Sequence, residues 1–121
     1  MYFLTVDEIS FVDQDIILLI ESKHSKTALL PSISDIKDGL IKMILFTNLK
    51  EISVANENLN CKPILQLTSA KLTGLITTDS GQQEMEDFIE LNEFTRKQIK
   101  LIGNLFIESK SNKFTIIIKR G

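Results

Sequence analysis

Two acids and a lysine carry the chemistry that this sequence suggests: Asp7, and the short run Glu21-Ser22-Lys23. Side chains on a strand alternate faces, so an extended segment aims Glu21 and Lys23 the same way. A hairpin turn centred on Gln14 sets Asp7 opposite Glu21, with Cβ atoms about 5 Å apart. Two carboxylates at that range repel unless a proton or a cation lies between them. Mg²⁺ is a hard ion that takes one or two carboxylates and retains waters. Held there, it polarises a phosphoryl oxygen and lowers the pKa of a bound water. Lys23 then either stabilises charge developing on the phosphate or orients and helps deprotonate the attacking water. The pattern therefore points to phosphodiester hydrolysis, with Asp7, Glu21 and Lys23 as catalytic residues and Asp7 and Glu21 as metal ligands. Glu-x-Lys is common, and a solvated ion pair on a hairpin has the same spacing. What raises this one above background is that its charges end a strongly apolar strand. The register matters, because a slip of one residue puts Glu8 in the place of Asp7.

The elements that must position these groups are readable in the hydropathy pattern. Tyr2 to Val12 is rich in β-branched and aromatic residues and reads as a strand. Asp13-Gln14-Asp15 is the turn, and Ile16 to Ile20 is an unbroken apolar run suited to a central strand buried on both faces. After a loop from Ser25 to Pro31, Ser34 is the expected N-cap of a helix, with Asp35 favourable in its first turn. From Ile36 to Asn48, helical spacing puts Ile36, Leu40, Met43, Ile44 and Leu45 on one side and Lys37, Asp38 and Lys42 towards the other. Gly39 weakens this helix by about 1 kcal/mol relative to Ala, which close packing against a sheet would explain.

Glu51 to Ala55 alternates like a short strand, Asn56 to Asn60 turns, and Cys61 to Leu67 resumes strand character. Pro63 implies that this strand starts there or lies at an edge. Thr68 to Gly81 reads mostly as loop. A helical region follows from about Gln82, as one bent helix or two, with Phe88, Leu91, Thr95, Ile99, Ile102 and Leu105 or Phe106 at intervals of three or four. Phe114 to Ile118 is the last strand. The order is β-β-α-β-β-α-β: one α/β domain over residues 1–121, without repeats or linkers.

Composition supports that reading. At 121 residues and 43% hydrophobic content, the chain has room for one sizeable core. Isoleucine and leucine supply 34 of the residues, and Trp is absent. With one cysteine, Cys61, and one histidine, His24, neither a disulfide framework nor a His/Cys metal cluster can form. No apolar run approaches the length of a spanning helix, and no basic leader precedes an apolar stretch, so a cytoplasmic location without membrane association is expected. The net charge of −2 excludes a generic basic nucleic-acid coat. It does not exclude a nucleic-acid enzyme, because local charge meets the phosphates. Residues 94–121 hold seven Lys or Arg against the single acid Glu108.

The stretch from Asp7 to Lys23 resembles the metal-binding signature of the PD-(D/E)xK nucleases, with 13 residues between the two acids. The wider run, Thr5–Phe11, Leu19–Thr27 and Leu30–Leu49, is similar to type II restriction endonucleases. That resemblance implies a restriction-endonuclease-like mixed sheet flanked by helices. It gives Asp7 and Glu21 the metal-binding roles, Lys23 the role of catalytic lysine, and Mg²⁺ as cofactor. It also implies double-stranded DNA as substrate, a homodimer for two-fold symmetric targets, and a place in restriction-modification. Val6 stands where the family has a proline. Such cores carry a helix before the first catalytic strand, and Met1 lies only six residues before Asp7. The chain is accordingly expected to be the C-terminal catalytic part of a longer type II site-specific deoxyribonuclease, lacking its N-terminal helix. The competing expectation is a catalytically inactive nuclease-fold domain for DNA binding or assembly; a third is a small α/β interaction protein.

Residues that could touch the DNA backbone are His24, Ser25 and Lys26 after the apolar strand, and Arg96, Lys97 and Lys100 near the last helix. His24 alternates to the face opposite Lys23, where a structural role is the commoner one. Lys37 and Lys42, five positions apart, read as ordinary surface charge. Cys61 reads as a small core residue.

Overall fold

A computed structural model describes residues 7–12, 16–48, 51–54 and 57–121. The opening residues 2–6, the turn at 13–15 and the segment end at Ala55 lie outside these. The described elements run β1 (Glu8–Phe11), β2 (Ile16–Ser25), α1 (Ile33–Thr47), β3 (Glu51–Val54), β4 (Glu57–Ser69), β5 (Leu75–Thr77), α2 (Gln82–Asn92), α3 (Arg96–Ser111) and β6 (Thr115–Arg120). All six strands form one mixed sheet in the order β1-β2-β4-β6-β5, with β3 paired to β4 off that path. Among the described residues, no helix is long and apolar enough to cross a membrane.

The apolar run of β2 lies inside the sheet, antiparallel to β1 and parallel to β4. Ile17, Leu19 and Glu21 are buried on one of its faces, while Ile16, Leu18 and Ile20 are half-buried on the other. Strands β2, β4 and β6 step in one direction across the sheet and are mutually parallel. Right-handed crossovers between such strands place their helices on a single face. Accordingly, α1 and α3 line one groove, with Ile36 and Leu40 facing Leu101 and Leu105. The core between this helical layer and the sheet is a single cluster that includes Leu19, Ile36, Met43, Leu65, Ile102 and Ile116.

Gly39 explains how closely α1 approaches the sheet. A Cβ at this position would lie 2.6 Å from Leu65 Cδ1, and both residues are buried. Met43 and Phe46 continue the buried stripe, whereas Ile44, expected on it, is 41% exposed. The cap is Ser32 rather than Ser34. The Ser32 hydroxyl accepts from the Asp35 amide at 3.1 Å, so the helix starts directly after the Pro31–Ser32 step and Ser34 lies within its first turn.

Elsewhere the strands are longer and more numerous than the pattern suggests. β4 begins at Glu57, inside the expected turn, because Glu57 to Asn60 pair with β3. Pro63 therefore sits within a strand. Its lost donor is tolerated because the ladder to β6 starts only at Ile64 and the ladder to β3 ends at Asn60. Within the Thr- and Ser-rich stretch, β5 adds antiparallel to β6. The last helical region is two helices. Glu93 breaks it with φ at 52°, and Thr95, expected on a helix face, instead caps α3 in a capping box with Gln98.

Candidate functional site

The hairpin register is the one that a turn centred on Gln14 requires: Glu8 faces Ile20, Ile9 faces Leu19 and Ser10 faces Leu18. Asp7 immediately precedes this ladder, and its carboxylate Oδ2 accepts a hydrogen bond from the Ser22 amide at 2.9 Å. The first acid therefore closes the open end of the β1–β2 ladder, next to Glu21.

Glu21 points into the protein, beneath α1, and is 1% exposed. It stands on the same face as the core residues Ile17 and Leu19, where a charge is tolerated only with partners. Two ammonium groups supply them. Lys42 Nζ donates to Glu21 Oε2 at 2.7 Å, and Lys23 Nζ lies 3.6 Å from the same oxygen. The other oxygen, Glu21 Oε1, is buried with no hydrogen-bond partner.

Lys23 is held mainly from the helix. Its Nζ donates to Asp38 Oδ2 at 2.7 Å. That hydrogen bond raises the Lys23 pKa above its ordinary 10.5, partial burial opposes the rise, and the charges of Asp38 and Glu21 add to it. The same bond lowers the pKa of Asp38. Lys23 is thus an ammonium at neutral pH. Four charges on two elements form two rungs: Glu21 with Lys42, and Lys23 with Asp38. Acid and base alternate along both β2 and α1, so each meets its opposite.

Lys42 and Asp38 are the members of this charge cluster that reading by element misses. The pattern places both on the polar side of α1, and a polar side is ordinarily solvated. Lys42 instead reaches back to the sheet and is only 27% exposed. The signal available in the sequence was the i, i+4 spacing of Asp38 and Lys42 matched against the i, i+2 spacing of Glu21 and Lys23.

The remaining candidates are dispersed. His24 lies on the opposite face, where its Nδ1 is 2.7 Å from Thr68 Oγ1 on the neighbouring strand. Ser25 Oγ accepts from the Ala28 amide and shapes the loop before α1. Lys26 is exposed in that loop, and Arg96, Lys97 and Lys100 are exposed at the start of α3. Both groups lie at the end of the sheet where β2, β4 and β6 finish, since α3 runs back towards the start of β6. Cys61 is half-buried beside the core.

Among the described residues, no group of three or more His, Cys, Asp and Glu is arranged to hold a metal ion. Two carboxylates with retained waters are what Mg²⁺ needs, and Asp7 and Glu21 are the pair available. The orphaned, buried Glu21 Oε1 is the observation that fits such an ion, because a buried acceptor without a donor is costly unless a cation serves it. No family model matches the chain, and no curated protein or solved structure matches it significantly.

Proposed function

We propose that this chain is the catalytic core of a Mg²⁺-dependent endonuclease that hydrolyses phosphodiester bonds of double-stranded DNA, with a restriction-endonuclease-like fold. The reading rests on one observation above others: a fully buried glutamate, set next to Asp7 by the hairpin and beside the Lys23 ammonium, keeps one carboxylate oxygen unpartnered. Asp7 and Glu21 would hold the ion, which when bound supplies a polarised phosphoryl oxygen and a more acidic water. In hydrolysis the water oxygen bonds to phosphorus, one ester P–O bond breaks, and the departing oxygen takes up a proton. Lys23, charged and fixed by Asp38, offsets the negative charge that builds on the phosphoryl oxygens. His24, Ser25, Lys26, Arg96, Lys97 and Lys100 flank one end of the sheet and provide backbone affinity without base reading. Two-fold symmetric targets favour a homodimer, and a role in restriction-modification places the protein in the cytoplasm.

The second reading, a nuclease-fold domain that binds DNA without cutting it, draws on the engagement of both Glu21 and Lys23 by α1. Cleavage of mixed-sequence duplex DNA with Mg²⁺ separates the two. Activity that requires the metal and disappears in both Asp7→Ala and Lys23→Ala is the expected result. Metal-dependent cleavage that survives both substitutions rules the site out, and duplex binding without cleavage selects the second reading.

A further inference from the structure

Glu21 Oε2 receives two ammonium groups while Oε1, equally buried, receives none. Both cations therefore meet one oxygen, and the other is buried with its lone pairs unserved, which is costly. The lopsided arrangement leaves one oxygen for something else. The two lysines also differ in how firmly they are tied. Lys23 has its closer partner in Asp38, at 2.7 Å, and only a longer contact to Glu21, at 3.6 Å. Lys42 has Glu21 at 2.7 Å, and it is more exposed than Lys23 on a long unbranched stem.

The charges of Glu21, Lys23, Asp38 and Lys42 sum to zero. A divalent ion arriving at Oε1 adds two positive charges beside two ammonium groups, and even with Asp7 the site becomes positive. Lys23 stays with Asp38. Lys42 is the cation that can leave, because its stem reaches water. We propose that Lys42 is a placeholder cation: it neutralises buried Glu21 in the metal-free protein and yields the carboxylate to a divalent metal. The inference rests on the reading of Asp7 and Glu21 as metal ligands. It goes beyond that reading by assigning the metal-free state a dedicated counter-ion, and so making metal affinity a competition.

The test compares the full chain with its Lys42→Met and Lys42→Arg variants, using Mn²⁺ as the probe. Two readouts are taken: Mn²⁺ affinity from the paramagnetic resonance signal of the free ion, and the melting temperature in EDTA and in saturating Mn²⁺. Lys42→Met should bind Mn²⁺ about tenfold more tightly, equivalent to ~1.4 kcal/mol. It should also melt lower than wild type in EDTA and recover that loss in Mn²⁺. Lys42→Arg, which keeps the charge, should bind no more tightly than wild type. Adding Glu21→Gln to Lys42→Met should abolish the gain. Equal or weaker binding by Lys42→Met, binding by none of the proteins, or a loss of stability that Mn²⁺ does not restore overturns the proposal. If Lys42→Met does not fold in EDTA, refolding in Mn²⁺ reads the same competition: recovery supports the placeholder, and failure in both media overturns it. DNA cleavage is scored separately. A shifted Mn²⁺ affinity without cleavage by any protein sinks the nuclease reading alone, and cleavage without the affinity shift sinks the placeholder alone.

Discussion

The Cβ that Gly39 lacks would stand 2.6 Å from Cδ1 of Leu65, and Leu65 has no exposed surface into which it could retreat. Alanine at position 39 gains about 1 kcal/mol of helix propensity and meets an overpacking cost of about 1–3 kcal/mol. Gly39→Ala is therefore expected to destabilise by about 1 kcal/mol net, read from the midpoint of urea unfolding. A stabilised variant would show that α1 is free to move off the sheet.

The Glu21–Lys42 pair should behave as a buried ion pair does. Removing one member of such a pair strands a charge at a cost of about 3 kcal/mol, while replacing both with apolar groups is often neutral. Lys42→Leu alone should thus be strongly destabilising, because Glu21 cannot reach water. Glu21→Leu alone should cost less, since Lys42 can. The double variant should recover most of the Lys42→Leu loss. A double-mutant cycle in metal-free buffer measures this, and additive costs would mean that the pair is not coupled.

The Lys23–Asp38 rung has a pH signature at each end. Asp38 is lowered from its ordinary 3.8 by the Lys23 hydrogen bond, so its contribution is present above that value and lost as pH falls through the lowered one. Lys23 is raised above 10.5, chiefly by the same bond, so its contribution is present below 10.5 and lost as pH climbs through the raised value. The stability difference between wild type and Asp38→Asn should accordingly stay flat from about pH 5 to pH 9 and shrink in strong acid. A difference that changes near neutrality would show that another group controls the rung.

Asn92 ties the segment before β5 to the end of α2. Its Oδ1 accepts from the Thr73 amide at 2.8 Å, and its Nδ2 donates to the carbonyls of Thr73 and Phe88 at 3.0 and 2.8 Å. At 8% exposure it has little access to replacement waters. Asn92→Ala should cost about 2 kcal/mol through the polar groups that it strands. Amide exchange at Thr73 should accelerate more than exchange in β2, and unchanged protection at Thr73 would count against the tie.

The parts of the fold that sequence reveals are those set by neighbours along the chain. Ile16 to Ile20 announces a central strand, and Gln14 as turn centre yields the register that brings Asp7 to the amide of Ser22. The chain's own spacing also marks α1 and the close approach at Gly39. What escapes is decided by contacts between distant segments. β5 is three residues of Leu-Ile-Thr that become a strand only because β6 lies alongside. Glu57 to Leu59 are strand because β3 lies alongside them, and Asn60 pairs with β2 as well. Lys42 looks solvated until the rotation of α1 over β2 is known, and that rotation is fixed by Gly39 against Leu65. The metal-ligand roles of Asp7 and Glu21 remain the proposal made above.

The two rungs between β2 and α1 are in step because of a near coincidence of lengths. Four residues of helix advance about 6 Å, and two residues of strand about 6.6 Å. Ser25 and Ser34 stand where a third rung would fall, and neither carries charge. One residue inserted between Asp38 and Lys42 rotates one of them by about 100° around the helix axis, and one inserted between Glu21 and Lys23 turns the lysine to the other side of the sheet. The two short spacings thus gauge each other, and the segment that joins them is anchored too, with Leu30 and Pro31 buried and the Ala28 amide held by Ser25 Oγ.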